Sequence, residues 1–547
     1  MDGAASQCDY RLVTTRIADR LERYSAAARR PSVAAFAALA AAAALLAGPA
    51  QALAGPGSAR VIGSVRQVAG LNGCYTDDGS SASGGPASCR RIRGGGDSTT
   101  LVVSPDGRFA YLDGYGSGGG NPAEAVPVLS VFSRDARTGV LHQLAGKAGC
   151  LSDSGGSPAG LHTCTSVRDL STGDATSIAI SADGRFVYVA SQYEPSQGHE
   201  VGGIAVFSRS LKTGILRELA GKAGCVTANG SSNKGPGTCA RAREVDDVSN
   251  VHITPDQKYL YASNYDGQPY SGIAIFRRNA ETGALTQLAG KEGCITAGGV
   301  TAQSKVTQIC RAMPNIGSPW DVATPGNTFA YIPDQSDNLV QAFWRDAKGG
   351  LKPLTGTGAC VSDTGSSPLG PNTCVAGRGL YDVERAVLSK NGAHLYTNGY
   401  TAPSPIAVLD RNRTTGLLSQ RSGAAACYSV DGTTGDSALS CRTDAALGGG
   451  YAGALSPSGQ RLYYAEYGSG GFSGGLVVFR VVRDSGRFAE LGGKLGCVTS
   501  DGKDAAGPGM CQRGRAVGGA YQVFVYGSDV YLASSSENGV ALFHASG

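Results

Sequence analysis

From residue 58 onward, apolar and polar positions alternate in short runs, and the runs recur. One copy shows the pattern plainly. Asp174–Ser181 (DATSIAIS) reads as a short apolar strand, and Ala182-Asp183-Gly184 as a turn. Arg185–Ser191 (RFVYVAS) is a second strand, and Gly203–Ser208 (GIAVFS) a third. Lys212-Thr213-Gly214 then turns the chain into a fourth, Ile215–Leu219 (ILREL). Alternation, β-branched and aromatic enrichment, and Asp-Gly or Thr-Gly turns predict strands rather than helices. No stretch after Ala54 sustains a helical period. The same unit returns with first turns at Ser104–Gly107, Thr254–Asp256, Thr324–Gly326, Lys390–Gly392 and Ser456–Gly459. Its later turns fall at Thr138-Gly139, Thr282-Gly283, Gly349-Gly350, Thr415-Gly416 and Ser485-Gly486.

Between units lies a loop such as Leu144–Cys164 (LAGKAGCLSDSGGSPAGLHTC), with two cysteines. The pairs are Cys74/Cys89, Cys150/Cys164, Cys225/Cys239, Cys294/Cys310, Cys360/Cys374, Cys427/Cys441 and Cys497/Cys511. Partners are 14 to 16 residues apart, and pairs recur every 66 to 76 residues, so a repeat array replaces one oversized core. Even pairing at repeated spacing reads as seven disulfides in an oxidising compartment; the close knuckles of zinc sites are missing. Only Cys8 is left over.

Four antiparallel strands repeated seven times predict an all-β, seven-bladed β-propeller. The last unit supplies three strands, near Tyr521–Tyr526, Asp529–Ser534 and Val540–His544. Val65–Gly70 (VRQVAG) matches Leu141–Gly146 (LHQLAG), a fourth strand. The N-terminal strand is therefore expected to complete the last blade and leave no open edge.

Residues 1–32 form a polar lead. Within 33–54, an Ala- and Leu-rich centre of about 16 residues follows Arg29-Arg30 and precedes Ala52-Leu53-Ala54, the pattern of a cleaved signal peptide. Residues 55–547 are assigned to the propeller, secreted or held in the cell envelope, with no membrane span after cleavage. The net charge of +5 is too balanced for a nucleic-acid partner. No Walker loop, dinucleotide fingerprint or H-E-x-x-H occurs, and no cofactor or metal is expected. Asp77-Asp78-Gly79, Asp153 and Asp363, just after first cysteines, read as turns.

The phrases SPDGRFAYLDG (Ser104–Gly114), SADGRFVYVAS (Ser181–Ser191) and VFSRDARTGVL (Val131–Leu141) resemble the lactonase-like, YVTN-type propeller family. The resemblance covers roughly Ser58 to the end and implies a propeller. Its enzymatic members, of phosphogluconolactonase and carboxymuconate-cyclising type, are implied to use His, Arg and Glu on the channel face.

Three groups of residues are candidates for a site. Arg93, Arg168, Arg243, Arg378 and Arg515 each follow a second cysteine by four. They read either as an anion-binding funnel at the channel mouth or as Arg–Asp pairs between blades. Tyr115, Tyr193, Tyr265, Tyr400 and Tyr467 end second strands and read as a ligand-stacking platform or as packing. In the third to fifth units, Asn250 and His252, Trp320 and Asp321, and Glu384 and Arg385 break the repeat, with Asn250, Trp320 and Arg385 expected at one position. His252 and Glu384 are the acid–base candidates and Arg385 an oxyanion holder, against the reading of a satisfied polar core. Seven similar blades without a unique catalytic constellation favour a monomeric binding module for an extracellular glycan, peptide or protein. The alternatives are a lactonase-like hydrolase with its site in the channel, and a structural envelope protein.

Overall fold

The computed structural model describes residues 64–116, 126–157, 159–170, 177–192, 202–265, 270–302, 309–434, 440–468, 473–482 and 485–546. The described part of the propeller begins at Ser64. The two proposed N-terminal segments, 1–32 and 33–54, lie outside the described residues.

Seven antiparallel sheets form the blades. In the first, Thr100–Val103 pairs with Phe109–Gly116, which pairs with Val126–Arg134. The fourth strand is broken in two. Leu141–Gln143 and Cys150–Ser152 both pair with the third strand, and a 3-10 turn, Gly146–Gly149, separates them. A fifth element, Thr165–Ser166, runs parallel to Cys150–Ser152 on the outer edge. The first cysteine of each pair therefore sits within the sheet, and the cysteine loop is a crossover that adds an edge strand. This refines the four-strand expectation. All seven disulfides form as paired in the sequence: Cys74–Cys89, Cys150–Cys164, Cys225–Cys239, Cys294–Cys310, Cys360–Cys374, Cys427–Cys441 and Cys497–Cys511. The fourth blade also departs from the repeat. Its first strand is reduced to two bridges, Pro319 to Asp334 and Ala323 to Tyr331.

The ring closes as the sequence predicts. Val65–Gln67 and Cys74–Thr76 both pair antiparallel with Gly539–Ala545, so the N-terminal strand completes the seventh blade. The core is a set of wedges, because each sheet buries both faces against its neighbours. Seven large apolar clusters fill the seven interfaces. Among the described residues, no helix is long and apolar enough to cross a membrane.

Polar staples tie the wedges together on the face that carries the first turns. Tyr111, Tyr188, Tyr261, Tyr331 and Tyr531 are buried on second strands, and each hydroxyl donates to a glycine carbonyl in the next blade's later turn. Arg134, Arg209, Arg278 and Arg411, at the ends of third strands, donate through Nε to four of these hydroxyls. Each of the four guanidinium groups has a phenol and a carbonyl as acceptors, and Arg134 and Arg209 add a carboxylate.

Candidate functional site

The opposite face carries the channel mouth, the second-to-third connections and the cysteine loops. The pairing between first and second strands slips by one residue at Val248/Asn250, Val383/Arg385, Gly450/Ala452 and Ala520/Gln522. The residues left over are Ser249, Glu384, Tyr451 and Tyr521. A bulge re-aims the extra side chain, and here it does so at the mouth in the third, fifth, sixth and seventh blades. In the fourth blade, counting between the bridges at Pro319 and Ala323 puts Trp320 at the bulge and Asp321 level with Asn250 and Arg385. This corrects the expected alignment of Trp320 with Asn250 and Arg385. The extra residue shifts the register by one.

The bulged side chains meet. Tyr451 and Tyr521 stack with ring centroids 4.0 Å apart, and their hydroxyls lie 3.2 Å apart. Tyr400 leans on Tyr451 at 4.6 Å, and Tyr467 packs edge-on against Tyr521 at 5.4 Å. Trp320 packs against this cluster and also tilts over Tyr265 at 4.7 Å. Three of the five expected tyrosines, Tyr265, Tyr400 and Tyr467, thus belong to one aromatic arc. Tyr193 and the side chain of Tyr115 lie outside the described residues.

Glu384 is the acid within the arc. Only 2 % of the residue is exposed. Trp320 Nε1 donates to Gln335 Oε1 at 2.9 Å, and Gln335 Nε2 donates to Glu384 Oε1 at 3.1 Å. Glu384 Oε2 is buried with no hydrogen-bond partner. Burial, with Asp382 adding to it and Arg385 opposing it, pushes the Glu384 carboxyl well above the usual carboxylate range. A carboxyl shifted in this direction takes up a proton more readily than an exposed one, and in its protonated form it can donate as well as accept. Burial and the nearby Tyr521 and Glu384 also hold the Tyr451 phenol well above its ordinary value.

The other candidates are placed as follows. Arg385 is half-buried beside Glu384, and its Nε has no partner. Asn250 is buried at the level of Arg385. Asp321 Oδ2 accepts from the Ala386 backbone N–H at 3.3 Å and ties the fourth blade to the fifth. His252 bonds Thr324 Oγ1 through Nε2 at 2.7 Å, two strand positions deeper than Asn250. Burial depresses its imidazole pKa, with Asp321 opposing and Arg345 reinforcing. Contacts thus join Glu384 to Gln335 and Trp320, and His252 to Thr324. No recorded contact among the described residues joins His252 to Glu384.

The arginines after the second cysteines are spent on neighbouring blades. Arg93 donates to the carbonyls of Leu144, Gly146 and Thr163. Arg243 donates to those of Leu288, Gly290 and Ile309, and Arg515 to those of Val68, Gly70 and Ser88. Arg168 bonds Glu218 at 2.7 Å and the carbonyls of Leu219 and Thr238. Arg378 is held through its backbone N–H by Gln420. Four of the five guanidinium groups clasp the next cysteine loop, and with those donors engaged they build neither an anion funnel nor Arg–Asp pairs. The physical reason is the 3-10 turn, which leaves carbonyls unpaired at the loop's entrance. Gln67, Gln143, Gln287 and Gln420 complete this clasp by accepting from the arginine's backbone N–H and donating to a carbonyl.

Sequence reasoning missed Tyr451, Tyr521 and Gln335. A signal for the tyrosines exists: each follows glycines at the start of a first strand, in Gly448–Tyr451 (GGGY) and Gly518–Tyr521 (GGAY). Gly449 and Gly519 adopt left-handed φ of 98° and 61°, which sets the entry into the bulge. The one grouping of potential metal-binding atoms among the described residues is Cys497, Asp504 and Cys511, and both sulfurs there belong to a disulfide. Asp77 and Asp363 accept the backbone N–H groups of Gly95 and Leu380, 18 and 17 residues further on, and so tie the start of the cysteine loop to the segment that follows it.

The sequence matches no family model and no curated protein. Among solved structures, a putative 6-phosphogluconolactonase from Bacteroides fragilis is similar at 17% identity, covering 80% of this chain and 95% of that one, with a TM-score of 0.44. A putative 6-phosphogluconolactonase from Bacteroides uniformis matches at 17% identity over 71% of this chain and 82% of that one, TM-score 0.41. A Lactobacillus plantarum protein matches at 14% identity over 79% and 90%, TM-score 0.44. These identities are too low to transfer an activity.

Proposed function

We propose that this propeller is an exported binding module that holds a glycan on the aromatic arc at its channel mouth. The observation that carries the reading is the single arc of Trp320, Tyr400, Tyr451, Tyr467 and Tyr521 around the buried, half-unpaired carboxyl of Glu384. Aromatic faces stack on the apolar face of a sugar ring. The unpartnered Oε2 of Glu384 can take a hydrogen bond from a sugar hydroxyl. Seven disulfides suit an oxidising compartment, and residues 33–54 are the export signal in this reading.

Glycan-array screening followed by calorimetry tests the proposal. Trp320→Ala is expected to weaken the best glycan at least about ten-fold, the loss of one stacked aromatic, with little change in melting temperature because Trp320 is half-exposed. Unchanged affinity in Trp320→Ala and in Tyr400→Ala would defeat it. The lactonase-like alternative draws on the same Glu384, whose carboxyl burial shifts upward, beside Arg385, whose Nε has no partner. Under that reading the protein opens a sugar-acid lactone, and Glu384→Gln abolishes turnover while binding persists.

A further inference from the structure

The face opposite the aromatic arc carries grooves between neighbouring blades, and two of them differ in one way. In the groove between blades one and two, Arg209 Nη2 donates to both oxygens of Asp106, each at 2.9 Å. This groove encloses about 420 Å³ and is lined by Asp106, Arg108, Asp183 and Arg209, so its charges balance. The same role recurs elsewhere. Asp256 accepts from Arg345 Nη2 at 2.6 Å, and Asp529 pairs with Arg134.

The groove between blades four and five has the arginine without the acid. Gly326 stands in the first turn where Asp106 and Asp256 stand in theirs. The cavity there holds about 400 Å³. Its charged lining is Lys390, Arg411 and Arg413, with no acid. A Cβ placed on Gly326 would meet nothing within 4 Å, so no other group has moved into the space. Arg411 is nonetheless held through Nε and Nη1 as Arg134 and Arg209 are. Nε donates to the Tyr331 hydroxyl at 2.6 Å, Nη1 to the Gly392 carbonyl at 2.7 Å, and the guanidinium lies 5.3 Å from the Phe329 ring centroid. Nη2 has no recorded acceptor, and neither Arg411 nor Arg413 forms an ion pair among the described residues.

We propose that this groove binds a small organic acid, whose carboxylate takes on Arg411 the place that Asp106 takes on Arg209. The guanidinium is fixed in advance by three contacts, so little ordering cost falls on binding. A carboxylate can place both oxygens on the free Nη2, as Asp106 does on Arg209 Nη2 in the sister groove. The volume exceeds what one carboxylate fills and leaves room for the body of the acid. Arg413 and Lys390 add positive charge for a second acidic group. The site is separate from the aromatic arc and stands or falls without it.

Calorimetric titration of the oxidised full chain at constant ionic strength tests the site, with succinate, glucuronate and inorganic phosphate as probes. One site per chain is expected for succinate or glucuronate. Arg413 is exposed, so Arg413→Glu leaves the fold intact and is expected to weaken binding of succinate, whose second carboxylate faces it, about ten-fold or more, by loss and reversal of one charge-assisted contact. Asp106→Ala empties the sister groove, and stoichiometry should rise from one to two. Absence of binding by both acids, succinate affinity unchanged in Arg413→Glu, or binding of phosphate in place of the acids would overturn the proposal. Where Asp106→Ala does not fold, the Arg413→Glu comparison decides by itself.

Discussion

The interface between blades one and two and that between blades five and six solve one packing problem with different atoms. In the first, buried Arg209 binds the Tyr111 hydroxyl, the Gly184 carbonyl and Asp106. Burial works against the Asp106 charge, yet hydrogen bonds from Ser104 and Arg209 hold its carboxyl down to about 2. In the second, the arginine's place is taken by Val481, and the Tyr396 hydroxyl is buried without a partner. Rings fill the space instead. Tyr428 stacks on Phe488 at 4.1 Å, and Phe479 and Tyr396 meet Phe488 edge-on at 4.7 and 5.7 Å. A wedge between blades can thus be closed by a satisfied polar network or by aromatic packing. The aromatic solution tolerates one orphaned hydroxyl, whereas the polar one depends on every member being present.

Removing one member of the polar network should produce the largest effect. Arg209→Ala leaves the Tyr111 hydroxyl without its donor and Asp106 without its ion pair. It is expected to destabilise the protein by about 3 kcal/mol, at the low end for a broken buried pair because Asp106 is partly exposed. Denaturant unfolding measures this, and a loss within experimental error would mean that the network contributes geometry rather than stability.

A second contrast lies between blades three and six. Asn264 and Glu466 occupy the same place at the ends of second strands. Burial raises the Glu466 carboxyl from 4.5 to about 8, although the Gly448 N–H opposes the shift. Between those values the folded protein holds a proton that the unfolded chain has lost. Stability is therefore expected to fall as pH rises through that window, by at most about 1.4 kcal/mol per pH unit. Glu466→Gln should flatten this slope in melting curves recorded against pH; an unchanged slope would exclude Glu466 as its source.

The smallest effect is the sharpest discriminator. Tyr111→Phe removes a hydroxyl that donates to Gly214 and accepts from Arg209, and should cost about 1–2 kcal/mol. Tyr396→Phe removes a hydroxyl with no partner, and should cost nothing or stabilise slightly. Equal costs from the two substitutions would erase the distinction between the interfaces.

Much of this was legible in the chain itself. The strands, the count of seven blades, the disulfide pairs and the closing N-terminal strand all follow from local periodicity and fixed spacing. The candidate site was legible only in part. Glu384 and Trp320 stood out as departures from the repeat, and Tyr400 and Tyr467 as tyrosines that end second strands. Tyr451, Tyr521 and Gln335 did not, and the clasping arginines read as a channel ring. Two physical facts account for the misses. A bulge shifts register by one residue, which changes where a side chain points without changing the alternation that sequence displays. The clasps and staples, for their part, join residues far apart in the chain: 50 positions for Arg168 and Glu218, 397 for Arg134 and Tyr531. Periodicity determines which residues form strands and how many blades they build. Which side chains meet at the channel mouth and in the grooves is decided only when the ring closes and each blade presses on the next.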